Sequence, residues 1–270
     1  MKIKFFTLLS ITLFSLTAFS QSKHETVVEL LGKTGSTEQI KQFDAIFEAQ
    51  AAAKKSSFKT EEDFQKFNSI MKSGLNSKDA EKYIIEYFEL NSNEDSLKKV
   101  ISIYDNPLMK EFNKVELEAN DPKNQQEQIA FFQNMQNNPP SQERIQQLVT
   151  LNNELGTSEM LVNLLNNVVL AMIKGVNYSM PNKEQISQEE IKNRLNESLP
   201  ADFSQQMTNQ IIAMSLYTYK DISDEKLDEY IKIWESPIGK YYISQMFGAF
   251  DYSFSKMGKN IGKSFTTLTK

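Results

Sequence analysis

Apolar residues recur at helical spacing along this chain, most clearly in two segments that resemble each other. The first segment, 97–110, reads LKKVISIYDNPLMK, and the second, 227–240, reads LDEYIKIWESPIGK. In both, the apolar residues fall at i, i+3, i+4 and i+7, which places them on one face of a helix. They are Leu97, Val100, Ile101 and Tyr104 in the first segment, and Leu227, Tyr230, Ile231 and Trp234 in the second. The pattern predicts two equivalent amphipathic helices.

Both helices should end at the same kind of corner. Asp105-Asn106-Pro107 follows the first stripe, and Glu235-Ser236-Pro237 follows the second. Proline disfavours helical conformation in the residue before it. Asn and Ser are good N-caps, and Pro suits the first position of a new helix. Each segment therefore predicts a helix, a proline corner and a second helix. We further expect Tyr104 and Trp234 to pack under their corners in the same way.

The repeated pattern extends beyond the two corners. Gly35-Ser36-Thr37-Glu38 and Gly156-Thr157-Ser158-Glu159 are similar turns that precede the two corners in the same order. No stretch sustains the alternation of a strand, so we predict an all-α protein. We further predict two related helical halves, 21–119 and 142–270, joined by a helical connector at 120–141. Each half would carry its helix–Pro corner–helix unit near its end.

Local sequence predicts how some of these helices begin and what they bury. Ser36 and Gln39 have the spacing of a capping box, which predicts that Ser36 caps the second helix. In the connector, Ile129, Phe131 and Phe132 are apolar residues among many glutamines. These residues indicate a packed helix there rather than a disordered linker.

Residues 1–20 have the three parts of a secretory signal peptide. Lys2 and Lys4 supply the charge, an apolar run extends to Phe19, and small residues precede Gln21. We therefore expect an exported protein of the periplasm, with secretion as the alternative. The chain has no Cys, so neither a disulfide framework nor lipid attachment to cysteine is expected. Its formal net charge of −5 argues against nucleic-acid binding.

Three stretches of the sequence are similar to a known family. They are ELLGKTGSTEQI at 29–40, NPPSQERIQQLVTLNNELGTSEMLVNL at 138–164 and DEKLDEYIKIWESPIGKYYISQM at 224–246. Through these stretches the chain resembles the bacterial exported proteins grouped as domain of unknown function 2059. The resemblance implies a helical, exported protein. It implies no activity and no site residues.

The sequence offers few residues for catalysis or metal binding. It has no Cys, which excludes Cys-His sites and zinc sites built on cysteine. Its one His, His24, follows the predicted cleavage point by four residues, where chain ends are usually poorly ordered, so no catalytic or metal role is expected for it. Glu235 and Ser236 resemble the Glu-Ser start of lytic transglycosylase sites, but we interpret them as part of the helix corner. Glu61-Glu62-Asp63 would suit a cation, but an acidic first turn of a helix explains them as well. We therefore assign no catalytic, cofactor-binding or metal-binding residue and expect no cofactor.

Two groups of residues remain as candidates for binding. The aromatic group fits the core, an apolar pocket or a sugar-stacking surface, and we favour the core. It consists of Trp234, Tyr104, Tyr241 and Tyr242. The C-terminal group mixes lysines with apolar residues and fits either an anionic membrane surface or a basic helix end that complements the helix dipole, which we favour. It consists of Lys256, Lys259, Lys263, Lys270, Phe254, Met257, Ile261 and Phe265.

These observations favour function through binding rather than catalysis. We expect a non-enzymatic binding or structural protein of the bacterial envelope that recognises a protein partner or an apolar ligand. One alternative is a carboxylate-dependent hydrolase of envelope glycans. Two carboxylates roughly 5–10 Å apart in an open groove would favour that enzyme. The other alternative is a peripheral membrane protein whose basic tail makes weak contact with anionic lipid.

Overall fold

The protein is built from helices that pack around one long C-terminal helix. The computed structural model describes residues 23–163 and 200–268, together with 166, 170, 173, 177, 186, 187, 189–191, 193 and 197 between them. The helices are α1 (23–33), α2 (Ser36–Lys54), α3 (Glu61–Gly74), α4 (Ser77–Asn91), α5 (Glu94–Ile103), α6 (Pro107–Ala119), α7 (Gln125–Met135), α8 (Gln142–Leu155), α9 (157–163), α10 (Phe203–Thr218), α11 (Asp224–Glu235) and α12 (Pro237–Leu268). The described residues contain no strand, which confirms the predicted all-α class.

Helix α12 packs along α4 and α3 and also contacts α5 and α11. Gly74 of α3 lies directly against the backbone of Ile261, so the two helices approach closely there. On α4, the carbonyl of Ala80 accepts a hydrogen bond from the Ser253 hydroxyl at 3.2 Å. The apolar residues buried on α12 include Ala249, Phe254, Met257 and Ile261. Phe254, Met257 and Ile261 of the predicted tail therefore belong to the core, and a membrane contact would rest on its lysines.

Both predicted proline corners form. In the first corner the Asn106 side chain caps α6 by accepting a hydrogen bond from the backbone N–H of Leu108 at 2.9 Å. In the second corner the Ser236 hydroxyl accepts one from the backbone N–H of Gly239 at 3.1 Å. Leu97, Val100 and Ile101 on α5 are buried as predicted, and so are all four apolar residues of the stripe on α11.

The two corners nevertheless differ in detail. Three residues, Tyr104 to Asn106, separate α5 from α6, whereas Ser236 alone separates α11 from α12. Tyr104 therefore lies just outside its helix and is half-buried, while Trp234 lies within α11 and is 4% exposed. Tyr104 and Trp234 therefore do not pack under separate corners in the same way, which corrects the prediction from the sequence. They contact each other, with ring centroids 6.5 Å apart.

The turn before α2 corrects one prediction. Ser36 does not cap this helix, because Gly35 occupies the N-cap position and no side chain accepts a capping hydrogen bond. The Ser36 hydroxyl instead pairs with that of Thr34 at 2.8 Å. Gly35 has a φ of 73°, and Gly156, at the similar turn after α8, has a φ of 61°. Both turns use the left-handed region, which favours glycine.

The connector contains the predicted helix, α7, but its packing differs from the prediction. Phe131 and Phe132 lie against Tyr217, with ring centroids 5.5 Å and 6.4 Å from the tyrosine ring. Ile129 is exposed. The connector is therefore anchored by its two phenylalanines, and Ile129 does not contribute to the core as expected.

Some predictions fall on other parts of the chain. The proposed signal peptide, 1–20, and Lys270 lie outside the described residues, as does the side chain of Phe265. Across the residues that are described, no helix has both the length and the apolar character needed to span a membrane. The relation between the two halves stays a prediction.

Candidate functional site

A cavity of about 350 Å³ lies where the two corners meet. Volumes of roughly 300–1,000 Å³ are typical of small-molecule sites. Its wall combines side chains from α2, α6, α8, α9, α10, α11 and α12 with residues of the turns that precede α2 and α6. The polar and aromatic lining includes Thr34, Ser36, Tyr104, Glu116, Tyr219, Tyr230, Trp234 and Tyr242. The apolar lining includes Leu155, Met160, Ile243, Met246, Phe247 and Phe250.

Glu116 is the one carboxylate in the described lining of this cavity, and it is half-buried. It lies on the same face of α6 as the buried residues Met109 and Phe112, so the helix turns it inward. Its Oε1 accepts hydrogen bonds from the hydroxyls of Tyr219 and Tyr230, at 2.8 Å and 2.7 Å. Its Oε2 has no hydrogen-bond partner in the described part of the chain. Glu116 therefore has one oxygen held by the protein and one left for another group.

The surroundings of Glu116 change its titration. Burial raises the pKa of the Glu116 carboxyl above the ordinary value of a glutamate, and the hydrogen bonds from Tyr230 and Tyr219 oppose this rise. Burial also raises the pKa values of both tyrosines well above the ordinary value, and the neighbouring carboxylate raises them further. Both hydroxyls therefore stay protonated near neutral pH and act as donors to Glu116. A buried acid with a perturbed pKa in a cavity is a candidate functional group.

Aromatic rings form a continuous cluster beside this carboxylate. Trp234 contacts Tyr104, Tyr230 and Tyr242, with ring centroids 5.6–6.5 Å apart. Behind them, Phe112 stacks on Tyr230 at a centroid distance of 3.8 Å. The rings hold one another in place, because each is packed against at least one other ring of the cluster. They give the cavity wall a fixed shape.

Trp234 brings a donor that lacks a partner. Its Nε1–H is buried and makes no hydrogen bond. It lies close to the Tyr230 hydroxyl and partly offsets the rise that burial causes in the Tyr230 pKa. An unpaired buried donor costs free energy, and an acceptor that entered the cavity would remove this cost. The sequence left the core, an apolar pocket and a sugar-stacking surface open for Trp234, and the first two bear on this cavity. The structure shows both, since Trp234 is buried among other rings and also lines the cavity.

The other residues singled out in the sequence are more scattered. Tyr242 lines the cavity, but Tyr241 does not, and its hydroxyl accepts a hydrogen bond from the backbone N–H of Asn93 at 3.1 Å. His24 lies on α1, where its Nδ1 is 2.6 Å from a carboxylate oxygen of Glu89. Among the described residues, no group of three or more His, Cys, Asp or Glu is arranged to hold a metal ion.

The two acidic motifs are helix features in the structure. Thr60 caps α3, with its hydroxyl accepting from the backbone N–H of Asp63 at 3.0 Å, so Glu61-Glu62-Asp63 form an acidic first turn. Glu235 ends α11 and lies in an open groove between α8 and α11. Two further acids line that groove, Glu143 and Asp228, and all three are exposed to solvent.

The described lysines of the C-terminal segment, Lys256, Lys259 and Lys263, have the spacing of one face of α12 but differ in exposure. Lys256 is half-buried, and it lies 4.8 Å from the ring centroid of Tyr252 and 3.9 Å from Glu86. Lys259 is exposed and precedes the last turns of α12. The last turn of α12, which ends at Leu268, contains no basic residue, so the favoured interpretation of these lysines as a basic helix end is wrong. A weak contact with anionic lipid stays a prediction.

Sequence reasoning missed Glu116 and its tyrosine partners, although one signal was present. Met109, Phe112, Glu116 and Ala119 recur at the spacing of one helix face, so Glu116 is an acid in an otherwise apolar stripe. Such a residue needs hydrogen-bond partners when the face is buried. Tyr219 gave no comparable signal, because it lies at the end of α10 outside any regular stripe.

A comparison of the chain with family models, with curated proteins and with solved structures finds no match. The similarity to the domain-of-unknown-function 2059 proteins therefore stays a prediction.

The buried carboxyl gives a testable dependence of stability on pH. The pKa of Glu116 is higher in the folded protein than in the unfolded chain. The free energy of unfolding should therefore fall as the pH rises from about 4.5 through the folded-state pKa. We expect Glu116→Gln to be more stable than the parent at about pH 8, where the parent buries a charge, and the difference to shrink toward about pH 4. Urea unfolding at a series of pH values measures this difference.

The matched control is Glu118→Gln. Glu118 lies on the same helix but is exposed, with Lys114 at 3.8 Å. Its replacement should leave the stability nearly unchanged at each pH, since exposed ion pairs contribute little. A Glu116→Gln difference that does not vary with pH would contradict the burial of a titrating charge.

Proposed function

We propose that this protein is a non-enzymatic binding protein of the bacterial envelope that takes a small, largely apolar ligand into the cavity. The observation that carries this proposal is the cavity itself, with its volume of about 350 Å³. Small-molecule sites are typically apolar and aromatic, with a few polar groups that orient the ligand. Here Glu116 Oε2 and Trp234 Nε1 are such groups, and α12 supplies apolar side chains.

The cellular location is part of the proposal. It rests on the signal-like residues 1–20, which support export to the periplasm, with secretion as the alternative. A periplasmic binding protein has access to small molecules that cross the outer membrane. A role through a protein partner remains the alternative within the same class, and it would use the outer surface instead of the cavity.

The hydrolase alternative has less support. The described lining of the cavity includes one carboxylate, Glu116, whereas glycan hydrolysis uses two. The groove beside Glu235 has three acids, but they are exposed to water. A general acid at neutral pH needs a raised pKa, which usually requires burial or a close like charge. Binding in the cavity therefore accounts for more of the unusual features.

Trp234 makes the proposal directly testable, because it is the sole tryptophan of the chain. We expect the neutral apolar probe N-phenyl-1-naphthylamine to quench its fluorescence in a saturable way, as energy passes from Trp234 to the bound probe. Ser215 lines the cavity, so Ser215→Phe should fill it and weaken probe binding at least about tenfold. Circular dichroism checks that the variant keeps its helical fold.

The matched control is Ser204→Phe, which adds the same ring to an exposed position on the same helix. It should leave the affinity unchanged. Equal probe binding by Ser215→Phe, Ser204→Phe and the parent would show that the probe binds elsewhere and would refute the cavity as the site.

A further inference from the structure

We infer that the ligand of this cavity carries an organic ammonium group, which pairs with Glu116 against the surrounding aromatic rings while its apolar portion lies along α12. The inference rests on the proposed function, since it names the class of ligand for the same cavity.

The first argument is the missing counter-charge of Glu116. In the described part of the chain no Lys or Arg forms an ion pair with this carboxylate. The charge of Arg144 slightly lowers the pKa of the neighbouring Tyr219. Its guanidinium, however, forms an ion pair with Asp224 at 2.8 Å and donates hydrogen bonds to the backbone carbonyls of Tyr219 and Ile222. Glu116 is half-buried, and a carboxylate that is partly withdrawn from water is costly unless it is paired. A cation in the cavity would supply the pairing that the protein leaves open.

The second argument is how the tyrosines hold the carboxylate. Both hydroxyls donate to Oε1, and two donors on one oxygen stabilise the ionised form. This arrangement fixes the carboxylate and leaves Oε2 free of protein donors. An ammonium N–H can donate to Oε2 without displacing either tyrosine, or a quaternary ammonium can lie beside it.

The third argument is the aromatic wall. Tyr104, Tyr230, Trp234 and Tyr242 all line the cavity. The faces of such rings attract cations, and several rings together recognise organic ammonium groups by cation–π interaction. The combination of rings and one carboxylate favours a diffuse organic cation. A metal ion would need several oxygen or nitrogen ligands, and the described residues offer no such group.

The apolar lining then selects what is attached to the ammonium. Ile243, Met246, Phe247 and Phe250 come from successive turns of α12 and supply apolar lining to the same cavity. Methionine and phenylalanine side chains suit a hydrocarbon portion of variable shape. An oxygen atom on the same ligand would satisfy the unpaired Trp234 Nε1–H.

The test compares three probes that share one apolar chain and differ in head group: octylammonium, 1-octanol and octanoate. Binding to the full chain is measured by Trp234 fluorescence and by calorimetry near pH 8. We expect octylammonium to bind about tenfold more tightly than octanol, and octanoate to bind most weakly, because an ion pair and cation–π contacts favour the cation.

Acidification provides a test that needs no variant. The titratable and charged groups near Glu116 are Tyr219 on α10, Tyr230 on α11, Tyr104, Tyr242 on α12, and Arg144 on α8 beyond Tyr219. The tyrosine pKa values are raised, and Arg stays charged, so neither type titrates as the pH falls to about 5. Lost octylammonium affinity with unchanged octanol affinity would therefore indicate protonation of Glu116.

Glu116→Gln should reduce octylammonium affinity to that of octanol and leave octanol binding unchanged. Glu118→Gln, on the same helix but exposed, should behave as the parent. Equal or tighter binding of octanol or octanoate by the parent would overturn the ammonium inference while the proposed function stands. Failure of all three probes and of N-phenyl-1-naphthylamine to bind would overturn both.

Discussion

Replacing Trp234 with alanine should lower the free energy of unfolding by about 3–5 kcal/mol, the usual cost of removing a large buried aromatic. The ring is 4% exposed and packs against Tyr104, Tyr230 and Tyr242, so its loss leaves three rings with an unfilled neighbour. One side of Trp234 already borders the cavity, which should place the cost near the lower end of that range. Urea unfolding followed by circular dichroism measures it, because the variant has no tryptophan.

The comparison variant is Ser236→Ala, two residues further along the same corner. It removes the hydroxyl that accepts from the Gly239 N–H, so it should cost about 1 kcal/mol, as for other N-caps. A Trp234→Ala protein as stable as the parent would contradict a structural role for the ring. It would leave ligand binding as the sole reason for a tryptophan at this position.

Gly239→Ala should also be strongly destabilising, by about 3 kcal/mol. A β-carbon at this position would lie 2.3 Å from the carbonyl oxygen of Ile233 and 2.8 Å from the α-carbon of Trp234. Both are backbone atoms of the preceding helix, so no side-chain rotation relieves the clash and the corner must open. We expect Trp234 fluorescence to shift to longer wavelength at the same time, because an opened corner admits water to the ring.

Gly32→Ala provides the matched control. Gly32 is exposed on α1, and no atom lies within 4 Å of where its β-carbon would be. This change should raise the stability by about 0.5–1 kcal/mol, because alanine has the higher helix propensity. If Gly239→Ala were as stable as Gly32→Ala, the close approach of α12 to the end of α11 would be wrong.

The proposed ligand gives a physical reason for keeping an unfavourable residue in the core. Glu116 is half-buried and has no counter-charge in the described part of the chain, so its ionised form lowers the stability of the free protein, and so does the unpaired Trp234 Nε1–H. A ligand that paired with both would recover part of that free energy on binding. Lost stability in the free state is a common cost of a functional site.

The amino-acid sequence by itself determined the class of the fold and much of its local structure. The spacing of Leu227, Tyr230, Ile231 and Trp234 was sufficient to predict a helix and its buried face, because helical periodicity is a local property. The corners were equally local, since Pro237 and Ser236 act on residues within one turn. The capping prediction for Ser36 failed because Gly35 adopted a left-handed conformation that removed the N-cap position from Ser36.

The tertiary structure alone decided what these elements do together. The similar corner sequences suggested equal geometry. In the second corner a break of one residue brings α12 so close to α11 that only glycine fits at position 239. The first corner is wider, and the equivalent residue there is the buried Met109. Glu116 became a candidate binding group only when Tyr219 and Tyr230 met it across more than a hundred residues of chain. Periodicity relates neighbours along one helix, and it has no means of indicating which side chains of different helices will share a cavity.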